Sequence, residues 1–565
     1  MTDVEGGLDE PDELQPEPGA LALASADDDW TREDWERSAA AVLRTSRRMG
    51  EDDPDATVWH TLARQTLDGI AISPLGTPDL LDGLVTSGRP TRAGAWDIRS
   101  EVATNEDALA DLEGGVTSLW VRAGSGPDWA TLLDGVRLDL APLVLDGADP
   151  EGFLSYAAGS DLAPGTNLGF DARTATAEQA ALATRAGVLG FVVDATVVHD
   201  RGASDVQELG YAISVGAQAL RALTRSGLSV DEAAALVEFR LAVTDEQLPS
   251  IAKLRAARRL WNRVLELSDA ETQDMRQHAV TSRPMMSAYD PWVNLLRTTV
   301  AAFAAGVGGA DAVTVLPFDG PLGRPDAFGR RIARNTSALL ISESHVAAVT
   351  DPAGGSYVVE KLTDDLAVAA WELLGRLDEG TDLAPLVAAT ATERDRQVAT
   401  RVRPITGLSE FPHLAEVLPE RSGEPDAVRR YGAAFETLRA APPTGHVFLA
   451  TLGPVAAYTA RAGFATNLLA AGGIAVDVVG PTSGVDDLTS AYAGQRVVCL
   501  AGTDAAYAEW GTEAARALRH AGASRVVVAG VPTGSTGGLF EAADDSCALG
   551  VDAIDFLTRT REALA

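Results

Sequence analysis

Lysine and cysteine are nearly missing from this chain of 565 residues. The two cysteines, Cys499 and Cys547, are too few for a disulfide framework or a thiolate-rich zinc site. The only lysines are Lys253 and Lys361; every other basic residue is an arginine. Positive charge is scarce altogether, with 46 basic residues against 81 acidic ones and a formal net charge of −35. That excess argues against sequence-independent binding to nucleic acid or to an anionic membrane, both of which need a cationic surface. It leaves room for an anionic small molecule, because a local basic pocket can coexist with an acidic exterior. No uncharged apolar run reaches 18 residues, so no membrane span is expected. The opening MTDVEGGLDE lacks the basic and apolar regions of a signal peptide, which makes the cytoplasm the expected compartment. Phosphate-loop, nucleophile-elbow and H-E-x-x-H patterns are absent too, and the seven histidines stand at no metal-ligand spacing.

What is present is an ordinary globular balance, 46% hydrophobic and 22% charged. Residues 1–29 hold ten acids, no basic residue and three prolines, which predicts a disordered acidic tail. From Trp30 the pattern predicts a helix, with Trp30, Trp35, Ala39, Val42 and Leu43 roughly on one face. Six β-rich runs follow at 117–123, 141–147, 190–195, 236–243, 276–282 and 312–318, alternating with helical stretches such as 204–226 and 248–266. This alternation predicts a parallel α/β domain, either a β/α barrel or an open doubly wound sheet. Residues 401–445 read as a connection. The last 120 residues carry strand–helix alternation through HVFLATL, IAVDVVG, RVVCLAG, SRVVVAG and VDAIDFL, which predicts a flavodoxin-like domain.

Read for chemistry, the residues offer little. A lone histidine such as His345 or His413 is more often packed or solvated than a ligand. DPAGGSYVVE (351–360) reads as a Gly-rich turn leading into a strand. IAKLRAARRLWNRV (251–264) reads as a basic amphipathic helix whose Arg255, Arg258 and Arg259 form a solvated face, with an anion-docking patch as the sharper alternative. Asp486 and Asp487 read as solvated, since nothing apolar nearby would raise a carboxyl pKa.

Six segments together are more specific. WHTLARQTLDGIAISPL (59–75), GAWDIRSEVA (94–103), ASDVQELGYAI (203–213), IAKLRAARRLWNRV, NLLRTTVAAFAAGVGGADAV (294–313) and DPAGGSYVVEKL (351–362) resemble, in order, the methylmalonyl-CoA mutase family. The resemblance implies a TIM-type β/α barrel that threads an acyl-CoA, followed by a flavodoxin-like domain of cobalamin-binding type. It also implies propionate metabolism, in which the family interconverts methylmalonyl-CoA and succinyl-CoA with adenosylcobalamin. The implied divisions are a tail (1–29), a helical arm for subunit contact (30–57), a degenerate barrel (58–400), a linker (401–445) and a degenerate cobalamin-type domain (446–565).

The departures from the family pattern are specific. The family follows the first strand of its cobalamin domain with D-x-H-x-x-G, whose histidine binds cobalt. Register places Ala456, Tyr458 and Arg461 on those positions, and Leu452 on a preceding lysine. His446 lies at the wrong end of that strand to substitute. In the barrel, a Tyr-His pair of active members falls on Thr196-Val197, with His199 two residues off. The family's H-T-Q-T strand reads His278-Ala279-Val280-Thr281. The family also places a phenol near its W-x-I-R motif, but this chain has no tyrosine before Tyr156, so Trp96–Arg99 lacks one. The resemblance therefore implies a small, or β, subunit with no catalytic, cofactor-binding or metal residue of its own. Its heterodimer partner would be a catalytic large (α) subunit that binds the adenosylcobalamin. Two other readings stand beside it: an autonomous cobalamin enzyme with atypical ligands, and a free-standing binding or chaperone-like paralogue.

Overall fold

The computed structural model describes residues 29–565 apart from Ala123 and Ser125, so the acidic tail lies outside the described residues except for Asp29. The chain divides into two compact units, Met1–Gly76 and Thr77–Ala565. The first is organised around α1 (Arg32–Thr45). Its start is set by a capping box in which the Thr31 hydroxyl accepts from the Asp34 amide and the Asp34 carboxylate accepts from the Thr31 amide. A small core of Ala40, Leu43, Met49 and Val58 is flanked by Trp35 and Trp59, whose rings lie 4.6 Å apart. Trp30 and Val42 do not join it: they are 73% and 68% exposed. The expected apolar face is thus narrower than the sequence suggested.

The second unit holds a closed parallel barrel and a five-stranded parallel sheet. The barrel strands are β1 (Asp97–Val102), β2 (Ser118–Val121), β3 (Leu143–Leu145), β4 (Asn167–Asp171), β5 (Leu189–Asp194), β6 (Val237–Val243), β7 (Arg276–Thr281) and β8 (Ala312–Thr314). β8 pairs with β1 to close the ring. Closure decides between the two architectures left open by periodicity. Six of the strands coincide with the predicted runs; β1 and β4 were missed, their polar residues hiding the strand pattern.

Long helices sheathe the barrel: α2 (Asp205–Arg225), α3 (Gln247–Leu267), α4 (Val293–Val307) and α5 (Ala327–Ser342), with α6 (Tyr357–Asp378) laid across α2 and α3. In β6, Val237, Phe239 and Leu241 alternate with Glu238 and Arg240, the side chains pointing to opposite faces. Phe239 meets Trp261 of α3 at 4.8 Å and sits against Gly216 of α2, where a Cβ would come within 2.8 Å of the ring.

Two expected strands are helices. SYVVE opens α6, because Ser356 and the preceding Gly-rich turn lead into 22 helical residues with apolar side chains at helical spacing. VDAIDFL opens α8 (Ala553–Leu564), capped by Asp552, whose carboxylate accepts from the Asp555 amide. The C-terminal sheet consists of β9 (Val447–Thr451), β10 (Val476–Val478), β11 (Val497–Ala501), β12 (Arg525–Ala529) and β13 (Asp545–Cys547), ordered β10-β9-β11-β12-β13. That is the flavodoxin-like order, with its switch point between β9 and β11. Helix α7 (Val455–Ala471) and α8 cover one face.

Residues 401–445 are mostly irregular, with one helix at Ala433–Ala440. They pack rather than dangle. Arg421 binds Asp319 after β8, the Arg429 amide donates to Asp200 after β5, and the Tyr431 amide donates to Pro284 after β7. The segment therefore runs over the C-terminal mouth of the barrel. No described helix is long and apolar enough to cross a membrane.

Candidate functional site

Two places in this architecture bind ligands as a rule: the C-terminal mouth of a β/α barrel and the switch-point crevice of a doubly wound sheet. In this chain its own side chains cross the barrel interior and enter the crevice.

Inside the barrel, inward parity on β1, β2, β6 and β7 brings together Arg99, Trp120, Glu238, Arg240 and His278, each 2% exposed or less. Arg99 Nη1 donates to Glu238 Oε1 at 2.8 Å across the barrel. Arg276 Nε holds the other carboxylate oxygen at 3.2 Å. Burial alone would push the Glu238 pKa up, but the guanidiniums of Arg99 and Arg276 outweigh it and hold the carboxyl below its ordinary range. Arg240, on β6, lies over the Trp120 ring of the opposite strand β2 at 4.1 Å and pairs with Asp194 at 2.8 Å. The Trp120 indole donates to Asp146 at 2.9 Å. The axis along which the resemblance places an acyl-CoA is thus crossed by an ion pair and a stacked cation.

His278 keeps its place on β7 as a buried, neutral group. Arg240 Nε donates to its Nδ1 at 3.3 Å, which assigns the proton to Nε2, 2.7 Å from Thr314 Oγ1. Burial first, then the surrounding guanidiniums, holds its pKa well below the histidine value. Val280, two residues on, is buried and offers no amide to a ligand.

Thr196 and Val197 form the first turn after β5. The Thr196 hydroxyl donates to Asp194 at 2.5 Å, so this donor is already engaged. His199 is held with Nε2 2.7 Å from Ser282 Oγ and Nδ1 3.3 Å from Glu208. Glu208 also accepts from the Ala242 amide and from Lys253 Nζ at 2.7 Å, while Lys253 reaches Asp205 at 2.8 Å. Burial would lower the Lys253 pKa; the charges of Asp205 and Glu208 raise it above the ordinary amine range instead. Sequence reasoning missed this cluster. Its signal was a lysine inside an apolar helical stretch of a chain that otherwise uses arginine.

The basic helix is not a solvated face. Arg255 and Arg258 are buried, and only Arg259 is partly exposed, pairing with Asp364 at 2.6 Å. Arg255 is gripped by Asp351 and by Glu360 at 2.7 Å, and Glu360 also accepts from the Gly355 amide at 3.0 Å. The Gly-rich turn and the basic helix, separate motifs in the sequence, are two halves of one contact. Arg258 reaches Gly88, Gln277 and Gly308, and burial lowers its pKa to about 10. Asp487 accepts from the Ser483 amide, and both Asp486 and Asp487 are exposed as expected.

At the switch point, Leu452 after β9 is buried in the core and Ala456, in the first turn of α7, is exposed. Tyr458 leans on the apolar core under α7. Arg461 fills the crevice: Nη1 donates to the Gly502 carbonyl at 2.6 Å and Nη2 to Asp504 at 2.5 Å. Its guanidinium lies 4.8 Å over the Tyr507 ring and 3.2 Å from where a Cβ on Gly530 would stand. His446 pairs with Asp477 beside the start of β9, so the five-residue strand separates it from the crevice by roughly 16 Å at about 3.3 Å per residue. No cluster of three or more His, Cys, Asp or Glu able to hold a metal ion occurs among the described residues. The residues present do not fit adenosylcobalamin: among the described residues, the Arg461 guanidinium enters the crevice and Tyr458 packs against the core.

Residues 188–422 match the family model described as methylmalonyl-CoA mutase. Over 96% of this chain and 98% of the other, it is 44% identical to a methylmalonyl-CoA mutase small subunit from Streptomyces virginiae. The chain belongs to the methylmalonyl-CoA mutase family. The family is one of isomerases. A probable small subunit from Mycobacterium tuberculosis is 41% identical over 89% of this chain and 93% of its own length. A small subunit from Propionibacterium freudenreichii subsp. shermanii is 33% identical over 100% and 99%.

Proposed function

We propose that this chain is the small, non-catalytic subunit of a heterodimeric methylmalonyl-CoA mutase. The observation that carries this reading is Arg461, which occupies the switch-point crevice where a cofactor tail would need open space. The crossed barrel axis supports it, since Arg99–Glu238 and Arg240–Trp120 stand where a substrate would thread. The large subunit binds adenosylcobalamin and carries out the rearrangement between methylmalonyl-CoA and succinyl-CoA, in propionate metabolism of the cytoplasm. Residues 30–57, with Trp30 and Val42 exposed on or beside α1, contact that subunit. Residues 58–400 and 446–565 act as scaffolding domains joined by 401–445.

The test is the visible spectrum of adenosylcobalamin mixed with the purified chain, followed by co-expression with a large subunit that carries D-x-H-x-x-G. The expected results are an unshifted spectrum with the chain alone and a one-to-one complex holding one cofactor. A base-off, histidine-on spectrum with turnover by this chain alone would favour the autonomous enzyme and overturn the proposal. A stable monomer that ignores the large subunit would favour the free-standing paralogue.

A further inference from the structure

A cavity of about 250 Å³ lies beside the barrel mouth, between the ends of β1 and β8 and the first turns of α5. The turn after β8, two residues after β7 and the 424–430 segment complete its walls. Six arginines line it, Arg99, Arg283, Arg324, Arg330, Arg334 and Arg430, against three carboxylates, Glu101, Glu424 and Asp426. In a chain with a net charge of −35 this lining is rich in arginine, although each of the six also pairs with a carboxylate, Glu238, Asp107, Asp111 and Glu436 lying outside the lining.

Several of these guanidiniums have donors to spare. Each has five N–H groups in a planar fork suited to oxyanions. Arg334 gives Nη1 to Asp111 at 3.1 Å, and Arg324 gives Nη2 to Asp107 at 2.9 Å. Those two acids belong to the helix Asn105–Glu113 and are not part of the cavity lining, so they fix the arginines without filling the space. Arg334 Nε and Arg99 Nη2 are buried with no hydrogen-bond partner among the described residues. Arg99, whose side chain is wholly buried, is among the residues that line this cavity. Buried donors rarely go unmatched in folded proteins, and both arginines are among the residues that line the cavity.

Position adds a second argument. The loops after the seventh and eighth strands of a β/α barrel are a recurrent phosphate-binding place. The start of α5 is already capped by Asp326, so an oxyanion here is held by arginine side chains and not by the helix end. We infer that this cavity binds a small phosphate-type polyanion. The volume takes a phosphate or pyrophosphate group. The site is independent of the switch-point crevice and of any catalytic role for the chain.

Inorganic pyrophosphate is the probe, titrated into the full chain by calorimetry at constant ionic strength. One saturable site and a raised Tm are expected, with sodium chloride of equal ionic strength producing neither. Arg324→Gln with Arg430→Gln is expected to weaken binding at least tenfold while the circular dichroism spectrum is kept. Should the double variant fail to fold, Arg324→Gln alone serves, its side chain being 58% exposed, with at least threefold weakening expected. Absence of saturable binding, or unchanged affinity in the folded variants, overturns the inference.

Discussion

Replacing Lys253 by methionine keeps most of the stem volume and removes the ammonium, leaving Asp205 and Glu208 without their shared cation. Lys253 and Glu208 are wholly buried, so water cannot take over. Breaking such a pair by removing one partner costs about 3–5 kcal/mol, because the surviving charge stays desolvated. The dependence on pH follows from the wild-type shifts. Burial tends to raise Asp205 and Glu208, but Lys253 lowers both. A depressed carboxyl stabilises the fold above its unfolded pKa of about 4, and that contribution is lost as pH falls through the folded value. The raised Lys253 contributes fully below 10.5, its ordinary value, and loses that contribution as pH rises through the folded value. Between about pH 5 and 10 the wild-type cluster is therefore flat. In the variant burial dominates, the carboxyls move upward, and protonation at pH 5 relieves part of the penalty. Urea unfolding at pH 8 and pH 5, followed by tryptophan fluorescence, is the assay. A loss of about 3–5 kcal/mol at pH 8 and a clearly smaller one at pH 5 is expected. Lys253→Arg should keep most of the stability and so separate charge from shape. A loss below about 1 kcal/mol at pH 8, or the same loss at both pH values, would refute the reasoning.

Arg255→Met should destabilise by a similar amount, about 3–5 kcal/mol, since Glu360 is buried behind it; urea midpoints measure this. His278 is held neutral, so wild-type stability should decline as pH falls below the unfolded histidine value of about 6.5. His278→Gln should flatten that decline in a pH series of melts. Arg461→Gly should cost about 1 kcal/mol for glycine inside α7, beyond the lost contacts, yet leave the adenosylcobalamin spectrum unshifted because no imidazole is gained. A histidine-on spectrum from that variant would count against the axial-ligand argument. Thr31→Ala should remove the capping box of α1 for about 1 kcal/mol, seen as faster amide exchange in its first turn.

Most strands were legible because both faces of a parallel barrel are buried, and runs such as VEFRLAV are apolar throughout save for their inward charges. The same property hid β1, whose DIRSEV is mostly polar because Arg99 and Glu101 point inward and Ser100 reaches Asp111. VDAIDFL was misread because a short apolar run looks alike in strand and helix, and the Asp552 cap decides which forms. The basic stretch of α3 was misread for another reason. A solvated arginine face and one buried under acids have the same sequence, and the acids came from residues 351 and 360, about a hundred positions away.

By itself the sequence determined most of the strand–helix series and the family, and it set Ala456, Tyr458 and Arg461 after the first strand of the C-terminal sheet. These depend on local chemistry and on residue identity at a given register, both of which a linear chain records. Tertiary structure decided what those residues and the barrel charges meet. Only the closed ring brings Arg99 to Glu238 and Trp120 to Arg240, and only the sheet order puts Arg461 against Gly502 and Gly530. Whether a charge is a solvated decoration or part of a buried network depends on what the fold carries to it, and those partners lie far away along the chain.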